Sequence, residues 1–207
     1  MRDAEHEKIS DLLAMVAATP GKKISVSTLL DVFGDRAFGA VMFVLAAPLV
    51  LPMPPGVSTL LGAPLVFITG QWALGRRRLW LPKILADRTM SKTDFRAVSA
   101  KLAPYLEKLE LRLRPRLTFM YGPVADRFIG TMCLVLALVV FLPIPFGNML
   151  PSLAIAAFAI GAAERDGVAA LVGWVTGILS FVVLALLARA IIAAVTAFFS
   201  VLFRMAT

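Results

Sequence analysis

The stretch Leu51-Pro52-Met53-Pro54-Pro55-Gly56 interrupts a long apolar block, and Leu142-Pro143-Ile144-Pro145-Phe146-Gly147 interrupts a second block in the same way. Both follow the pattern Leu-Pro-x-Pro-x-Gly. Two prolines two residues apart remove two backbone donors and forbid a continuous helix. Each block is therefore predicted to hold two helical arms joined by an unwound segment, named here the first break (residues 51–56) and the second break (residues 142–147).

The two breaks belong to a longer internal similarity. A shift of 91 residues aligns, without a gap, Asp35-Arg36 with Asp126-Arg127, Gly39 with Gly130, Pro52 with Pro143, Pro54 with Pro145, and Gly56 with Gly147. A spaced set of this kind at one offset indicates a duplicated unit. We predict a first repeat over residues 34–75 and a second over residues 126–167.

Composition indicates that both repeats lie in a membrane. Of the 207 residues, 59% are hydrophobic and 16% are charged, which excludes an ordinary soluble domain. Residues 37–75, 128–163 and 168–188 contain no Asp, Glu, Lys or Arg. We predict an all-α, multi-pass membrane protein with a single membrane domain over residues 1–207.

The depth of the breaks is left open by the sequence. The first arm, residues 37–51, would extend about 22 Å as a helix, which is less than the roughly 30 Å hydrocarbon core. In one interpretation the breaks are re-entrant tips that meet near the membrane midplane. In the other they are hairpin turns at the far surface.

Charge predicts the orientation. Residues 76–127 contain 13 Lys and Arg against 5 Asp and Glu, and the rest of the chain is balanced. The positive-inside rule favours a cytoplasmic position for this segment and for the N-terminus, and nucleic acid is not an expected partner. Residues 1–33 and 76–125 are predicted to form amphipathic helices on the inner surface. Residues 168–207 are a C-terminal transmembrane segment, and beyond Arg189 the chain is either a second short crossing or an interfacial tail.

Candidate binding residues lie at and after the breaks. Ser58, Thr59 and Asn148 are predicted to cap the second arms, whose N-termini carry free N–H groups and the positive end of the helix dipole. Two such ends facing one another would bind an anion without a basic side chain, although the same residues could merely cap their own helices. The hypothetical binding set is Pro52, Pro54, Gly56, Ser58, Thr59, Pro143, Pro145, Gly147 and Asn148.

Charged residues border the apolar blocks. Asp35, Arg36, Asp126 and Arg127 would gate or neutralise an anion at the cytoplasmic edge. Glu164, Arg165 and Asp166 form either a solvated turn or an ion-paired, proton-titrating group at a cavity mouth.

The sequence shows no set of residues typical of an enzyme active site. The chain has one cysteine, Cys133, in an apolar block, and one histidine, His6, near the N-terminus. No metal site, cofactor site or catalytic residue is predicted, and the chain is not expected to be an enzyme.

A family resemblance is carried by Gly34-Asp35-Arg36-Ala37-Phe38-Gly39, the two breaks, the run Gly75-Arg76-Arg77-Arg78-Leu79-Trp80-Leu81-Pro82, and Arg165-Asp166-Gly167. In these residues the chain resembles the ExoD family of bacterial membrane proteins, from about residue 9 to residue 187. The resemblance implies a role connected with exopolysaccharide synthesis in the bacterial inner membrane. It implies no mechanism and no site residue.

Two classes of function follow as expectations. The first is a small transporter or lipid-handling protein with a midplane anion site made by the paired breaks, acting on a lipid-linked phosphate or beside polysaccharide machinery. The alternative is a non-catalytic membrane scaffold for a polysaccharide synthase or exporter. A homodimer is expected, because a 22.3 kDa chain offers little protein to surround two breaks.

Overall fold

The computed structural model describes Met15 and residues 23–52, 56–76, 78–83, 89–91, 116–117, 120–142, 144 and 147–206. The amphipathic helices predicted near the N-terminus and in the basic segment lie outside these residues, apart from a helix at 26–33. Pro54, Pro143 and Pro145 also lie outside them. The side chain of Asp35 is not described.

The described part of the chain is helical except for two short strands. In order it contains β1 (Lys23–Ser25), α1 (Val26–Phe33), α2 (Ala37–Ala46), α3 (Val57–Ala73), β2 (Thr89–Ser91), α4 (Pro123–Phe141), α5 (Met149–Glu164) and α6 (Gly167–Ala206). Short 3₁₀ helices at Gly34–Arg36 and Ala47–Val50 flank α2. The predicted all-α class is thus confirmed for these residues.

The local sequence explains where the four arms, α2 to α5, begin and end. Pro48 lies in the 3₁₀ turn that ends the first arm, and Pro123 occupies the first position of α4, where its missing N–H costs nothing. Pro64 lies inside α3 and is exposed. The predicted arms therefore exist, interrupted where the proline pairs occur.

The arms pack crosswise. The main partner of α3 is α4, and the main partner of α2 is α5, so each arm packs against an arm from the other apolar block. The core between them is built from apolar side chains that are fully buried, among them Met42, Leu65, Leu136 and Phe158. α6 covers the outer side of α5.

The two strands join distant parts of the chain. β1 pairs antiparallel with β2, with Lys23 opposite Ser91 and Ser25 opposite Thr89. Ser25 also caps α1, because its hydroxyl accepts from the Thr28 backbone N–H at 3.2 Å. The ladder fixes the start of α1 beside the basic segment.

α6 differs from the expectation for the C-terminus. It is one helix of 40 residues that passes through Arg189 without interruption, so residues 191–203 are neither a separate crossing nor a separate tail. Arginine has good helix propensity, and Arg189 is exposed, so its charge does not break the helix.

Among the residues that the structure describes, two helices are long and apolar enough to cross a membrane, namely α4 and the Gly167–Ala197 portion of α6. α6 leaves most of its large apolar side chains uncovered; Val175, Ile178 and Leu186 are each more than half exposed. An apolar surface of this extent is stable in lipid and costly in water. These helices indicate a membrane location.

Candidate functional site

The first break ends at a helix start that has no side-chain cap. Gly56 is the N-cap of α3 in a left-handed conformation, with φ of 97°, and no side chain bonds to the first turn. The prediction that Ser58 and Thr59 cap this helix is wrong, because α3 already begins at Val57 and both residues lie inside its first turn. Ser58 is buried, and Pro52 is exposed at the end of the preceding arm.

Thr59 instead links the two apolar blocks. Its hydroxyl donates to the carbonyl oxygen of Phe141, the last residue of α4, at 3.2 Å. Gly62 lies one turn further along α3, where an added Cβ would come within 2.9 Å of the Phe141 Cα. The start of α3 therefore lies directly against the entrance to the second break.

The second break also ends at a helix without a side-chain cap. Asn148 occupies the N-cap position of α5, but its amide Nδ2 donates backwards to the Leu142 carbonyl at 3.3 Å. The other amide atom, Oδ1, is buried and has no hydrogen-bond partner among the residues that the structure describes. Gly147 precedes it and lies against Ile144 and Leu184. Asn148 is thus at the predicted position but does not cap.

Close backbone approach holds the crosswise pairs together. A Cβ added to Gly39 would lie 2.9 Å from the Ala163 backbone nitrogen in α5. A Cβ added to Gly130 would lie 2.7 Å from the Ala73 backbone nitrogen in α3. Because Cβ atoms do not approach backbone this closely, both positions require glycine.

The charged candidates lie at the ends of the helices away from the breaks. Arg127 places its guanidinium against Gly75, which has φ of 77° just after α3. Asp126 lies in the first turn of α4. Arg36 lies in the 3₁₀ turn before α2, and this turn packs on α5. Charge therefore concentrates at one end of the bundle, opposite the breaks.

The turn between α5 and α6 has a structural role. Arg165 ends α5 in a left-handed conformation, and Glu164 is the last residue of that helix. Asp166 is 3% exposed, and its Oδ1 accepts from the Val168 backbone N–H at 2.9 Å, which caps α6. The interpretation as a solvated turn is wrong for Asp166, because its side chain is buried and its carboxylate bonds the start of α6.

Tyr121 closes the same end of the bundle. Its hydroxyl donates to the Asp166 carbonyl at 3.2 Å. Burial raises the pKa of Tyr121 well above its usual value, and the nearby carboxylates of Asp166 and Asp126 raise it further. The phenol therefore remains protonated and acts as a hydrogen-bond donor.

Sequence reasoning assigned no role to two sets of polar residues. Gln71 exchanges two hydrogen bonds with the Trp80 backbone, Nε2 to the carbonyl at 3.0 Å and Trp80 N–H to Oε1 at 2.9 Å. Ser152 and Ser180 are buried, and within the described part of the chain neither hydroxyl has a hydrogen-bond partner. Serine within an apolar run gives no sequence signal, because most helical serines bond their own backbone.

A ligand at the breaks could be bound by hydrogen bonds and by the helix dipoles. Over the part of the chain that the structure describes, no three His, Cys, Asp or Glu side chains come together as a metal site. Cys133 is fully buried in α4. The groups that the helix starts leave available are the first backbone N–H groups of α3 and α5, which carry the positive end of each helix dipole.

Comparisons with known proteins agree with the resemblance seen in the sequence. The family model ExoD, described as exopolysaccharide synthesis, matches residues 9–186. Protein ExoD of Rhizobium meliloti (strain 1021) is 32% identical over 170 residues, covering 80% of this chain and 70% of that protein. An uncharacterised protein of Synechocystis sp. is 27% identical over 161 residues, covering 77% of this chain and 76% of that protein. No solved structure matches significantly.

Proposed function

This chain belongs to the ExoD family, which is associated with exopolysaccharide synthesis, and we propose that it acts there as a small membrane transporter or lipid-handling protein. Its substrate would carry an anionic group, bound where the two breaks meet. One observation carries the proposal: the hydrogen bond from Thr59 to Phe141 joins the start of α3 to the end of α4. This contact supports an approach of the two breaks, each of which precedes a helix start whose N-cap residue makes no side-chain capping bond.

The proposal includes a structural repeat of residues 34–75 and 126–167. The crosswise contacts support it, because Gly39 and Gly130 are 91 residues apart and each meets the final turn of the other unit's second arm. In a repeat of this kind each break would face its counterpart.

The lengths of α2 and α3 support a first break that ends inside the hydrocarbon layer, whereas α4, which leads into the second break, is long enough to cross it. α2 and the following 3₁₀ turn, 10 and 4 residues, extend about 23 Å, and the 17 residues of α3 extend about 26 Å. Both values are short of a roughly 30 Å core and correspond to a depth beyond the midplane. Unwound backbone at such a depth needs protein around it, which the paired breaks would supply for each other.

We also propose that the protein is not an enzyme, that it is a homodimer in the bacterial inner membrane, and that it works with a lipid-linked phosphate or polysaccharide machinery. The dimer would cover part of α6, whose residues 192–197 are exposed and apolar except for Thr196.

A liposome experiment tests the function. The purified chain in proteoliposomes is expected to give anion flux or lipid scrambling above protein-free vesicles. Thr59→Val is expected to lower the rate about fivefold, since it removes one hydrogen bond of roughly 1 kcal/mol between the breaks. Thr131→Val is the matched control, because the Thr131 hydroxyl is exposed and bonds only its own helix at Arg127. Failure to detect either activity would overturn the transport proposal. The result would then favour the alternative, a non-catalytic membrane scaffold.

Orientation gives a further prediction. We propose that the N-terminus and the basic segment are cytoplasmic, and the β1–β2 ladder supports placing both on one side of the membrane. In a Cys133→Ala background, Ser10→Cys and Ser91→Cys are expected to resist a membrane-impermeant thiol reagent in intact spheroplasts and to react after permeabilisation. Labelling of either position in intact spheroplasts would contradict the orientation.

A further inference from the structure

The chain folds back against α3 directly after that helix ends. Gly75 has φ of 77°, and the Arg76 N–H donates to the Gln71 carbonyl at 3.1 Å, which closes the C-terminus of α3. The buried side chain of Gln71 then bonds both backbone groups of Trp80, at 3.0 Å and 2.9 Å. Residues 76–80 are therefore fixed against the last turns of α3.

This folded-back segment exposes a basic and an aromatic side chain on either side of a buried one. Leu79 belongs to the core, whereas Arg78 and Trp80 are exposed. The Trp80 ring lies beside the Phe67 ring, with centroids 6.1 Å apart. Phe67 is seven residues before Leu74, the C-cap of α3, which corresponds to about 10 Å along the helix. The indole therefore lies along the side of α3, and the arginines follow its end.

A further arginine reaches the same place from α4. A Cβ added to Gly75 would lie 2.5 Å from the Arg127 Nε and 3.1 Å from its Nη2, and Arg127 is exposed. Residues 67–86 contain four Lys and Arg and no Asp or Glu. The C-terminal end of the α3 dipole supplies only about half a negative charge against them. Positive charge therefore collects around the end of α3.

Exposed apolar side chains adjoin this positive charge. Leu74 is 77% exposed and Trp80 is 54% exposed, and Phe128, next to Arg127, is 65% exposed. A soluble anion would leave these side chains in water. A phospholipid carries its phosphate directly above its acyl chains, and tryptophan with basic residues is typical of the level where the two meet. The surface therefore matches a lipid better than a soluble anion.

The charge of the surface indicates which lipid headgroup it fits. Arginine pairs with phosphate through two parallel hydrogen bonds. A zwitterionic headgroup also brings an ammonium group, which the arginines would repel and for which residues 67–86 offer no carboxylate. A headgroup with a net negative charge is therefore favoured.

We propose that the end of α3, residues 76–80 and Arg127 form a binding site for an anionic phospholipid of the surrounding leaflet, named here the lipid site. The guanidinium groups of Arg76, Arg78 and Arg127 donate to the lipid phosphate. Trp80 and the neighbouring apolar side chains cover the upper part of the acyl chains. The lipid site lies at the charged end of the bundle, opposite the breaks, so it is separate from the anion site of the proposed function.

Brominated lipids, which quench nearby tryptophans, test the location. The full chain would be placed in phosphatidylcholine vesicles that contain a small, equal fraction of brominated phosphatidylglycerol or brominated phosphatidylcholine. The contribution of Trp80 is the difference between the parent and Trp80→Phe, a variant that keeps the backbone bonds to Gln71. We expect Trp80 to be quenched more strongly by brominated phosphatidylglycerol. Equal quenching by the two lipids would overturn the inference.

Arg78→Gln tests the charge contact. Phosphatidylglycerol added to the chain in neutral detergent is expected to raise its unfolding temperature, and Arg78→Gln should weaken the apparent affinity about fivefold. Arg116→Gln is the matched control, because Arg116 is exposed at the same end of the bundle but lies beside the α5–α6 turn, where its carbonyl accepts from the Gly167 N–H. An equal loss in both variants would indicate general surface charge and overturn a defined site.

The headgroup without acyl chains separates a lipid from a soluble anion. Glycerophosphoglycerol is expected to give no stabilisation under the same conditions, because it cannot cover the apolar side chains. Stabilisation equal to that by phosphatidylglycerol would contradict a lipid site.

Gln71→Met tests Gln71 as a positioning residue, since it removes both bonds to Trp80 at similar volume. It is expected to abolish the difference in Trp80 quenching between the two brominated lipids, and an unchanged difference would contradict this role. Arg78 and Trp80 are exposed, so their variants are expected to fold whether or not Gln71→Met does. Selective binding of phosphatidylglycerol without flux in liposomes would remove the transport function and keep the lipid site. Flux without selective binding would keep the function and overturn the site.

Discussion

Replacing Pro52 and Pro54 with alanine, or Pro143 and Pro145 with alanine, is expected to abolish function while membrane abundance stays near normal. Alanine restores two backbone donors and has the highest helix propensity, so the arms can propagate through the break. Propagation withdraws the free N–H groups of α3 or α5 and disperses the paired dipole ends. The measurement is complementation of a strain lacking the protein, with abundance checked in parallel.

The matched control is Pro64→Ala. Pro64 lies inside α3 and is exposed, so its replacement repairs a helix without touching a break. It is expected to complement fully and to be neutral or stabilising. Full complementation by both double variants would reduce the Leu-Pro-x-Pro-x-Gly segments to hairpin turns, because water at a membrane surface satisfies loosened backbone groups.

Gly130→Ala and Gly39→Ala are expected to destabilise the fold by about 1–3 kcal/mol each, the usual cost of overpacking. At Gly130 the new Cβ would meet the Ala73 backbone nitrogen at 2.7 Å and the Trp72 carbonyl carbon at 2.8 Å. Backbone inside a helix cannot move aside as a flexible side chain can, so α3 and α4 would have to separate. Gly130→Leu should prevent stable accumulation. Thermal unfolding in detergent, with abundance in membranes, measures both effects.

Gly70→Ala is the control for this pair. Gly70 lies in the same α3–α4 interface, but an added Cβ would meet only a Leu134 methyl group, at 3.8 Å. It is expected to be neutral or slightly stabilising, because alanine is the better helix former. A loss of stability at Gly70 equal to that at Gly130 would show that close approach at Gly130 is not the cause.

Local patterns predicted a large part of the architecture. The proline pairs predicted the two breaks, and the uncharged runs predicted the four helical arms. The residues around the breaks indicated the family. The same local reasoning failed where a helix end depends on neighbours. It assigned Ser58 and Thr59 as caps, whereas Gly56 starts α3 in a left-handed conformation and Thr59 bonds across to Phe141.

The sequence by itself therefore determined helix content, membrane character and the positions of the breaks, because proline chemistry and hydropathy act over a few neighbouring residues. Tertiary structure alone decided that α2 pairs with α5 and α3 with α4, that Asp166 caps α6, and that the Ser152 and Ser180 hydroxyls are buried without a partner among the described residues. These features depend on which helix faces approach closely. In an apolar chain many faces are nearly equivalent by hydropathy, so close backbone packing at small residues makes the choice.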